Sequence, residues 1–223
     1  MQKLFVIFFK VSRRLLMNLS MEWSHLYCTI LFYCQNVSVN KFKTEGIPYI
    51  SVANGGKFVI GPGLKMNNKL SSNPIGCPQP CLFFVDKQAE LTIGNNLGIS
   101  QAAIVCHLSI TIGDNVKIGG GVSIYDTDFH CLLPEMRKDP NLDLKYKVKK
   151  PVVIKNNAFI GAHSIILKGV TIGENSVVGA GSVVTKSIPD NQIWAGNPAK
   201  LIKEFNATEI CIKEYISPNK IIA

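Results

Sequence analysis

Apolar residues return at every sixth position through the C-terminal half of the chain. Isoleucine or valine holds this position six times in succession, and the residue two places earlier is always small or β-branched: Ile154, Ile160, Ile166, Ile172, Val178 and Val184, preceded by Val152, Ala158, Ser164, Val170, Ser176 and Ser182. Residues six apart lie on different faces of an α-helix, and a hairpin sheet alternates by two. The pattern therefore predicts very short strands, joined by tight bends and wound into a solenoid.

Three six-residue units make one three-sided coil, so residues eighteen apart, such as Ile154 and Ile172, are predicted to stack. Glycine follows several of the repeated residues, as at Gly161 and Gly173, where we expect positive φ or a close approach of two backbones. A looser copy lies upstream and contains one extra residue: Ile93, Ile99 and Val105, then Ile112, Ile118 and Ile124. The fold class predicted from these repeats is an all-β solenoid.

The repeat is interrupted twice and ends in a proline-marked stretch. Residues 67–84 contain Pro74, Pro78 and Pro80 and are predicted to form a loop, whereas residues 126–150 form the longest excursion. The stretch around Ile60 is expected to begin the solenoid, and the chain after Val184 is expected to leave it in a short C-terminal helix. We therefore predict an extension (1–43), a repeat domain (44–203) with a projecting loop (126–150), and a tail (204–223).

The composition indicates what kind of partner the chain is expected to bind. Apolar residues make up 47% and charged residues 17%, as in a packed globular protein, and the formal net charge of +9 favours anionic partners. Residues 1–43 contain Glu22 as their only acidic residue beside six basic ones: Lys3, Lys10, Arg13, Arg14, Lys41 and Lys43. This extension is predicted to be helical. It either caps the core or makes a peripheral contact with an anionic membrane, and the sequence leaves both open.

Other features bound the location and the partners. The first apolar run is too short to span a bilayer, and no small-residue cleavage site of an export signal follows. The seven cysteines are scattered, which is typical of free thiols, so a cytoplasmic protein is expected, with contact at the inner face of the membrane as the variant of this expectation. Aromatic residues do not alternate with the basic ones, so no nucleic acid partner is expected.

The densest part of the repeat carries recognisable motifs. "GVTIG", "VGAGSVVTK" and "AGNPAK" follow a loop that bears a histidine. In this combination the chain resembles the hexapeptide-repeat acyltransferases, and most of all the maltose and galactoside O-acetyltransferases and polysaccharide-modifying acetyltransferases. The resemblance implies a left-handed parallel β-helix and a homotrimer, with acetyl-CoA as acyl donor in the groove between subunits. It implies a small-molecule or glycan acceptor and no metal.

The segment "DTDFH" supplies candidates for catalysis. If it stays extended, Asp126, Asp128 and His130 fall on one side of the strand. Transfer of an acyl group to a hydroxyl needs a base, and histidine titrates close to neutral pH. The resembling enzymes carry their catalytic histidine at the start of this loop, which matches His130. A carboxylate bonded to the other ring nitrogen would fix the tautomer, and we predict Asp128, with Asp126 as the alternative.

The resemblance also implies positions that contact the coenzyme. Ala162 and Ala180 match positions that meet the pantetheine arm through backbone groups. Four further residues match contacts near the adenosine and phosphate end: Thr185, Lys186, Lys200 and Lys203. Lysine suits a phosphate partner as a point charge.

Several functions remain open at this point. The expected function is acetyl-CoA-dependent O-acetylation of a sugar, or of a polysaccharide or glycolipid precursor. An N-acetyltransferase or a serine-type O-acetyltransferase would use the same scaffold. A γ-type carbonic anhydrase would bind zinc through His107, His130 and His163, although the chain lacks the paired histidines typical of that site. A binding module without catalysis is the last alternative.

Overall fold

A computed structural model describes residues 2–205 of the chain. It begins with one long helix, α1 (Gln2–Cys34), and continues into a series of short strands. The strands are β1 (Ser38–Val39), β2 (Phe42–Glu45), β3 (Tyr49–Val52), β4 (Lys57–Ile60), β5 (Leu64–Asn67), β6 (Leu82–Val85), β7 (Glu90–Ile93), β8 (Gly98–Ser100), β9 (Ala103–Cys106), β10 (Ser109–Ile112), β11 (Lys117–Ile118) and β12 (Ser123–Tyr125). Two helices, α2 (Pro134–Arg137) and α3 (Pro140–Tyr146), follow β12 and precede the remaining strands. These are β13 (Val152–Ile154), β14 (Phe159–Ile160), β15 (Ile165–Ile166), β16 (Thr171–Ile172), β17 (Val177–Val178), β18 (Val183–Val184), β19 (Gln192–Ala195) and β20 (Lys200–Glu204).

Each successive group of three strands forms one coil of a parallel β-helix. The first strand of every coil joins sheet A (β1-β4-β7-β10-β13-β16), the second joins sheet B (β2-β5-β8-β11-β14-β17), and the third joins sheet C (β3-β6-β9-β12-β15-β18). The register pairs Ile154 with Ile172 and Ile160 with Val178, as the eighteen-residue spacing predicts. The predicted solenoid of parallel strands is therefore confirmed.

The repeated apolar residues form the core along the axis of the coils. All twelve repeat positions between Val152 and Val184 are buried. The buried serines among them donate hydrogen bonds to backbone carbonyls, as Ser176 does to Pro189 and Ser182 to Gly179. Burial of a hydroxyl costs free energy unless it is bonded, so these bonds explain why serine is tolerated in the core.

The corners use two backbone devices. At Gly161 an added Cβ would lie 2.5 Å from the backbone nitrogen of Ala180, so glycine is needed for close approach rather than for positive φ. Positive φ occurs instead at a ladder of asparagines whose side chains bond from coil to coil: Asn96, Asn115, Asn157, Asn175 and Asn191. Asparagine adopts this conformation more readily than most residues because its short amide bonds locally.

The two ends of the solenoid differ from the sequence-based prediction. The first coil, β1 to β3, begins at Ser38, before the predicted start around Ile60. The prediction started too late because the strands of this coil lack the isoleucine–glycine signature. The predicted short C-terminal helix is wrong for residues 200–204, which form β20, antiparallel to β19 at the edge of sheet B. A returning strand satisfies the backbone groups of that edge, and Gly196, at φ +104°, allows the turn. The rest of the predicted tail lies outside the described residues.

The C-terminal third of α1 covers the first coil. Cys28 and Phe32 are buried in the core cluster, and the ring of Phe42 on β2 contacts those of His25 and Phe32, with centroids 4.4 and 5.1 Å apart. This part of the helix caps the solenoid, as one of the two interpretations predicted. Within residues 2–205, no helix has both the length and the apolar character needed to cross a bilayer.

Candidate active site

The loop that follows β12 projects from the corner between sheets C and A. It contains α2 and α3, and its base is closed where Thr127 pairs with Lys149 and the Asp128 N–H donates to the carbonyl of Val148. Helix α3 begins sharply because Asp139 caps it, accepting from the N–H groups of Asn141 and Leu142, with Pro140 at the first helical position. The loop therefore holds a defined shape outside the repeat.

His130 lies on this loop and is bonded to a carboxylate of α3. Its Nδ1 is 2.7 Å from Oδ2 of Asp143, whose other oxygen accepts the backbone N–H of Cys131. The carboxylate is an acceptor, so Nδ1 carries the proton and Nε2 is left as the acceptor. The side chain of His130 is 69% exposed, whereas that of Asp143 is 12% exposed. An oriented imidazole therefore presents an acceptor nitrogen to solvent.

Local bonds hold Asp143 in its ionised form. The hydrogen bond from His130, the N–H of Cys131 and the nearby positive charge of Arg137 together lower the pKa of Asp143, although burial acts against them. Arg137 itself donates to the carbonyl of Cys131 at 2.9 Å. An ionised carboxylate beside Nδ1 stabilises an imidazolium that forms during proton transfer.

The predicted orienting residues, Asp128 and Asp126, bond elsewhere. Oδ1 of Asp128 is 2.5 Å from Nζ of Lys168, and Asp126, fully buried, accepts the backbone N–H groups of residues 107–109. The residue bonded to His130 is Asp143, so the orienting role predicted for Asp128 is corrected. The reason is Phe129, whose φ of +63° breaks the extended chain on which the shared face depended.

Asp143 was missed by the sequence analysis. It lies thirteen residues after His130 and shares no strand or helix face with it. The sequence does contain one usable signal, since Asp139 followed by Pro140 is typical of a helix start. That signal predicts a helix but not the face that it turns toward His130.

The other two candidate histidines have separate surroundings. His107 Nδ1 lies 2.8 Å from Asp86 Oδ2, and burial and the charge of Lys147 lower the pKa of His107 despite that carboxylate. His163 is exposed at the corner between sheets B and C, with Nε2 3.9 Å from Cys77 Sγ. Among residues 2–205, no three histidine, cysteine or acidic side chains are grouped closely enough to hold a metal ion. Within the described part of one chain, the three histidines therefore do not meet at a metal site.

Four of the six residues predicted to contact the coenzyme border sheet C, two on each side. Ala162 and Ala180 occupy equivalent corner positions between sheets B and C in successive coils, where Gly181 donates to the carbonyl of Ala162. Thr185 and Lys186 lie at the opposite corner, between sheets C and A, two coils beyond the one from which the His130 loop leaves.

A cavity of about 270 Å³ brings part of the predicted phosphate contacts together. Thr185, Lys186 and Lys200 line it with Trp194. Lys203 lies on β20 opposite Ile193 and does not line the cavity. Within one chain, the structure thus groups three of the six predicted coenzyme residues and places the alanines across sheet C.

Comparison with known proteins shows which chains share this repeat. Residues 91–126 and 151–186 match the family model described as the hexapeptide repeat of succinyl-transferase, and the gap between them is the loop of His130. The galactoside O-acetyltransferase of Escherichia coli K12 is 39% identical over 130 residues, 55% of this chain and 61% of that protein. The chain belongs to the hexapeptide-repeat acetyltransferase family. The fold is accordingly of the left-handed β-helix type.

Two further relatives show how far the similarity extends. Protein CapG of Staphylococcus aureus is 50% identical over 105 residues, 47% of this chain and 58% of CapG. A solved galactoside acetyltransferase in complex with coenzyme A is 32% identical, with a TM-score of 0.51, and the match covers 78% of this chain and 66% of that one. The chain spans about 60% of the length of the curated relatives described here.

Proposed function

We propose that the protein is an acetyl-CoA-dependent O-acetyltransferase that acylates a hydroxyl of a sugar, or of a polysaccharide or glycolipid precursor. The observation that carries this proposal is the exposed imidazole of His130, oriented by Asp143 on a loop that leaves a hexapeptide-repeat solenoid. The coenzyme A complex of a relative and the galactoside acetyltransferases among the relatives support the donor and the acceptor class.

The reaction requires one proton relay at Nε2. His130 accepts the proton of the acceptor hydroxyl while the oxygen attacks the thioester carbonyl of acetyl-CoA. Collapse of the tetrahedral intermediate breaks the carbon–sulfur bond, and the imidazolium returns the proton to sulfur. The products are the acetyl ester and coenzyme A as thiol. Asp143 stabilises the transient charge on the ring and remains ionised throughout.

The coenzyme is proposed to run along sheet C, parallel to the axis of the coils. Parallel strands lie about 4.8 Å apart, so two coils separate the base of the His130 loop from Thr185 by roughly 10 Å along this axis. The pantetheine arm would meet backbone groups at Ala162 and Ala180. The phosphates would lie toward Lys186, Lys200 and Lys203, where ammonium groups provide charge complementarity.

Assembly into a homotrimer is part of the proposal. The alanines and the His130 loop lie on opposite borders of sheet C in one chain, so a groove between neighbouring chains would join one border of each. An amine acceptor or serine would use the same proton relay, and the experiment below separates these alternatives.

Release of coenzyme A as free thiol tests the proposal. The protein is incubated with acetyl-CoA and one candidate acceptor at a time: hexoses, disaccharides, amino sugars and serine. We expect thiol release above the acceptor-free rate with a sugar hydroxyl, and mass spectrometry should locate the acetyl group on oxygen. Acetylation on nitrogen or on serine alone would replace the proposed acceptor. If none of the acceptors in the panel raises thiol release above the acceptor-free rate, the proposed acceptor class is contradicted.

A further inference from the structure

Helix α1 divides into a packed part and an uncovered part. Its three buried residues, Ser24, Cys28 and Phe32, all lie in the last third. Nine apolar side chains in the first part are each more than half exposed: Leu4, Phe5, Ile7, Phe8, Phe9, Val11, Leu15, Leu16 and Leu19. This apolar surface is far larger than capping of the first coil requires.

The exposed surface continues along the outer side of the packed part. Leu26 and Ile30 are each 56% exposed and lie about 200° around the helix from Cys28 and Phe32, at about 100° per residue. Trp23 and Tyr33 are also exposed on this side. On the side away from the solenoid, exposed apolar residues therefore continue over the whole helix, and at residues 4–9 they surround it.

Basic residues occupy the other side of the first part. Lys3, Lys10 and Arg14 project to the side on which Cys28 and Phe32 meet the core, and Arg13 lies beside them. Residues 2–21 contain no acidic side chain, because Glu22 is the first one in the chain. An exposed apolar face together with a cluster of cations in a segment that has no acidic residue of its own is typical of helices that lie in an anionic membrane interface.

We propose that α1 docks the protein on the surface of an anionic lipid bilayer. The apolar face enters the boundary between headgroups and acyl chains, and the four cations between Lys3 and Arg14 reach the lipid phosphates. The solenoid then lies on the aqueous side of the helix, because the packed residues face away from the apolar surface. The helix does not cross the bilayer.

The pattern favours a bilayer over a second copy of the chain as the occupant. A seam between two helices covers positions three and four apart, whereas residues 4–9 are six consecutive apolar residues that surround the helix. A groove of about 310 Å³ beside α1 has both apolar and charged residues in its lining, among them Phe9, Leu16, Arg13, Lys69 and Glu45. Apolar and cationic side chains thus adjoin beside this helix.

Vesicle flotation with the full chain tests this proposal. Vesicles of phosphatidylcholine alone are compared with vesicles that also contain phosphatidylglycerol, at low and at high salt. We expect the protein to float with the anionic vesicles, to float at least ~tenfold less with neutral ones, and to be released as salt rises.

Two variants separate the apolar from the electrostatic contribution. Leu15→Glu/Leu19→Glu should abolish flotation on both kinds of vesicle, whereas Lys10→Gln/Arg13→Gln/Arg14→Gln should weaken it at least ~tenfold on anionic vesicles only. Leu144→Glu is the matched control, since it places a charge at another exposed leucine and should float as the unaltered protein does. Circular dichroism verifies that each variant is folded.

Two outcomes would overturn the proposal. One is failure of the folded, unaltered protein to float with anionic vesicles. The other is a Leu15→Glu/Leu19→Glu variant that floats normally but has a smaller assembly by light scattering, because α1 would then be covered by another copy of the chain. Neither outcome bears on acetyl transfer, which the thiol assay measures separately.

Discussion

The repeated coils from Ile154 to Val184 and the loop at 126–150 follow different rules. In the coils every sixth residue is buried and pairs with its equivalent in the next coil, so each contact is repeated. In the loop each contact occurs once, as between His130 and Asp143. The regular scaffold supplies stability and surfaces, whereas the exposed imidazole of His130 is oriented by a contact outside the repeat. Substitutions should therefore divide into those that remove activity and those that remove stability.

His130→Ala is expected to have the largest effect on activity and almost none on folding. Loss of the proposed base should lower kcat at least ~10²-fold, because an alcohol is a poor nucleophile at neutral pH. Thiol release measures the rate, and light scattering and denaturant unfolding measure assembly and stability. Retention of full activity would show that His130 is not the base. It would also contradict the division between substitutions that remove activity and those that remove stability.

Ile160→Ala should have the opposite profile. Ile160 is buried between Ile118 and Val178 of the neighbouring coils, so truncation should lower the free energy of unfolding by about 2–5 kcal/mol. Thr111→Ala, at an exposed strand position, should change it by less than about 0.5 kcal/mol. Denaturant unfolding at one fixed protein concentration provides the comparison. Equal stabilities for the two variants would contradict the role assigned to the repeat.

Asp143→Asn should lower kcat about tenfold or more while KM for acetyl-CoA changes little. The amide can present its donor to Nδ1 and favour the wrong tautomer, so the loss should exceed that of Glu135→Gln, a carboxyl-to-amide change at an exposed residue of the same loop. Equal losses in these two variants would show that Asp143 does not act through His130.

The bond between Asp143 and His130 also predicts how the stability of the fold depends on pH in the acid range. The pKa of Asp143 is lower in the folded chain than the ordinary carboxyl value, so its contribution is complete above that ordinary value. It is lost as pH falls through the lowered folded pKa, where the carboxylate takes up a proton. Unfolding of Asp143→Asn should therefore change less with pH in this acid range than unfolding of the unaltered chain.

Lys186→Gln should have the smallest effect, on the coenzyme alone. Lys186 lines the cavity with Thr185 and Lys200, and removal of one exposed charge should raise KM for acetyl-CoA about two- to fivefold at unchanged kcat. Lys57→Gln, at an exposed residue of strand β4, is the control. An unchanged KM for acetyl-CoA in Lys186→Gln would show that this cavity does not bind the coenzyme.

The repeat could be predicted from the sequence because its period reports burial directly. Ile154, Ile160 and Ile172 are buried and in register as the spacing requires. The strand at Lys200–Glu204 was predicted as a helix, because its pairing with β19 is a long-range contact that local propensity does not report.

The loop illustrates the same difference for the site. His130 was predicted from the position of a motif, but its partner depends on two features that spacing does not encode: the left-handed backbone of Phe129 and the packing of α3. The first takes Asp128 and His130 off a shared face, and Asp128 pairs with Lys168 instead, whereas the second brings Asp143 to the ring. Residue types near a site can thus be predicted more readily than their pairing.

A crystal structure of the assembled protein with coenzyme A bound tests the central claim most directly. The claim is that the exposed nitrogen of His130 faces the thiol end of the coenzyme across a groove beside sheet C. We predict a sulfur separated from Nε2 by the room needed for one acceptor hydroxyl, with the phosphates toward Lys186 and Lys200. A sulfur remote from His130 in every pairing of neighbouring chains would contradict it.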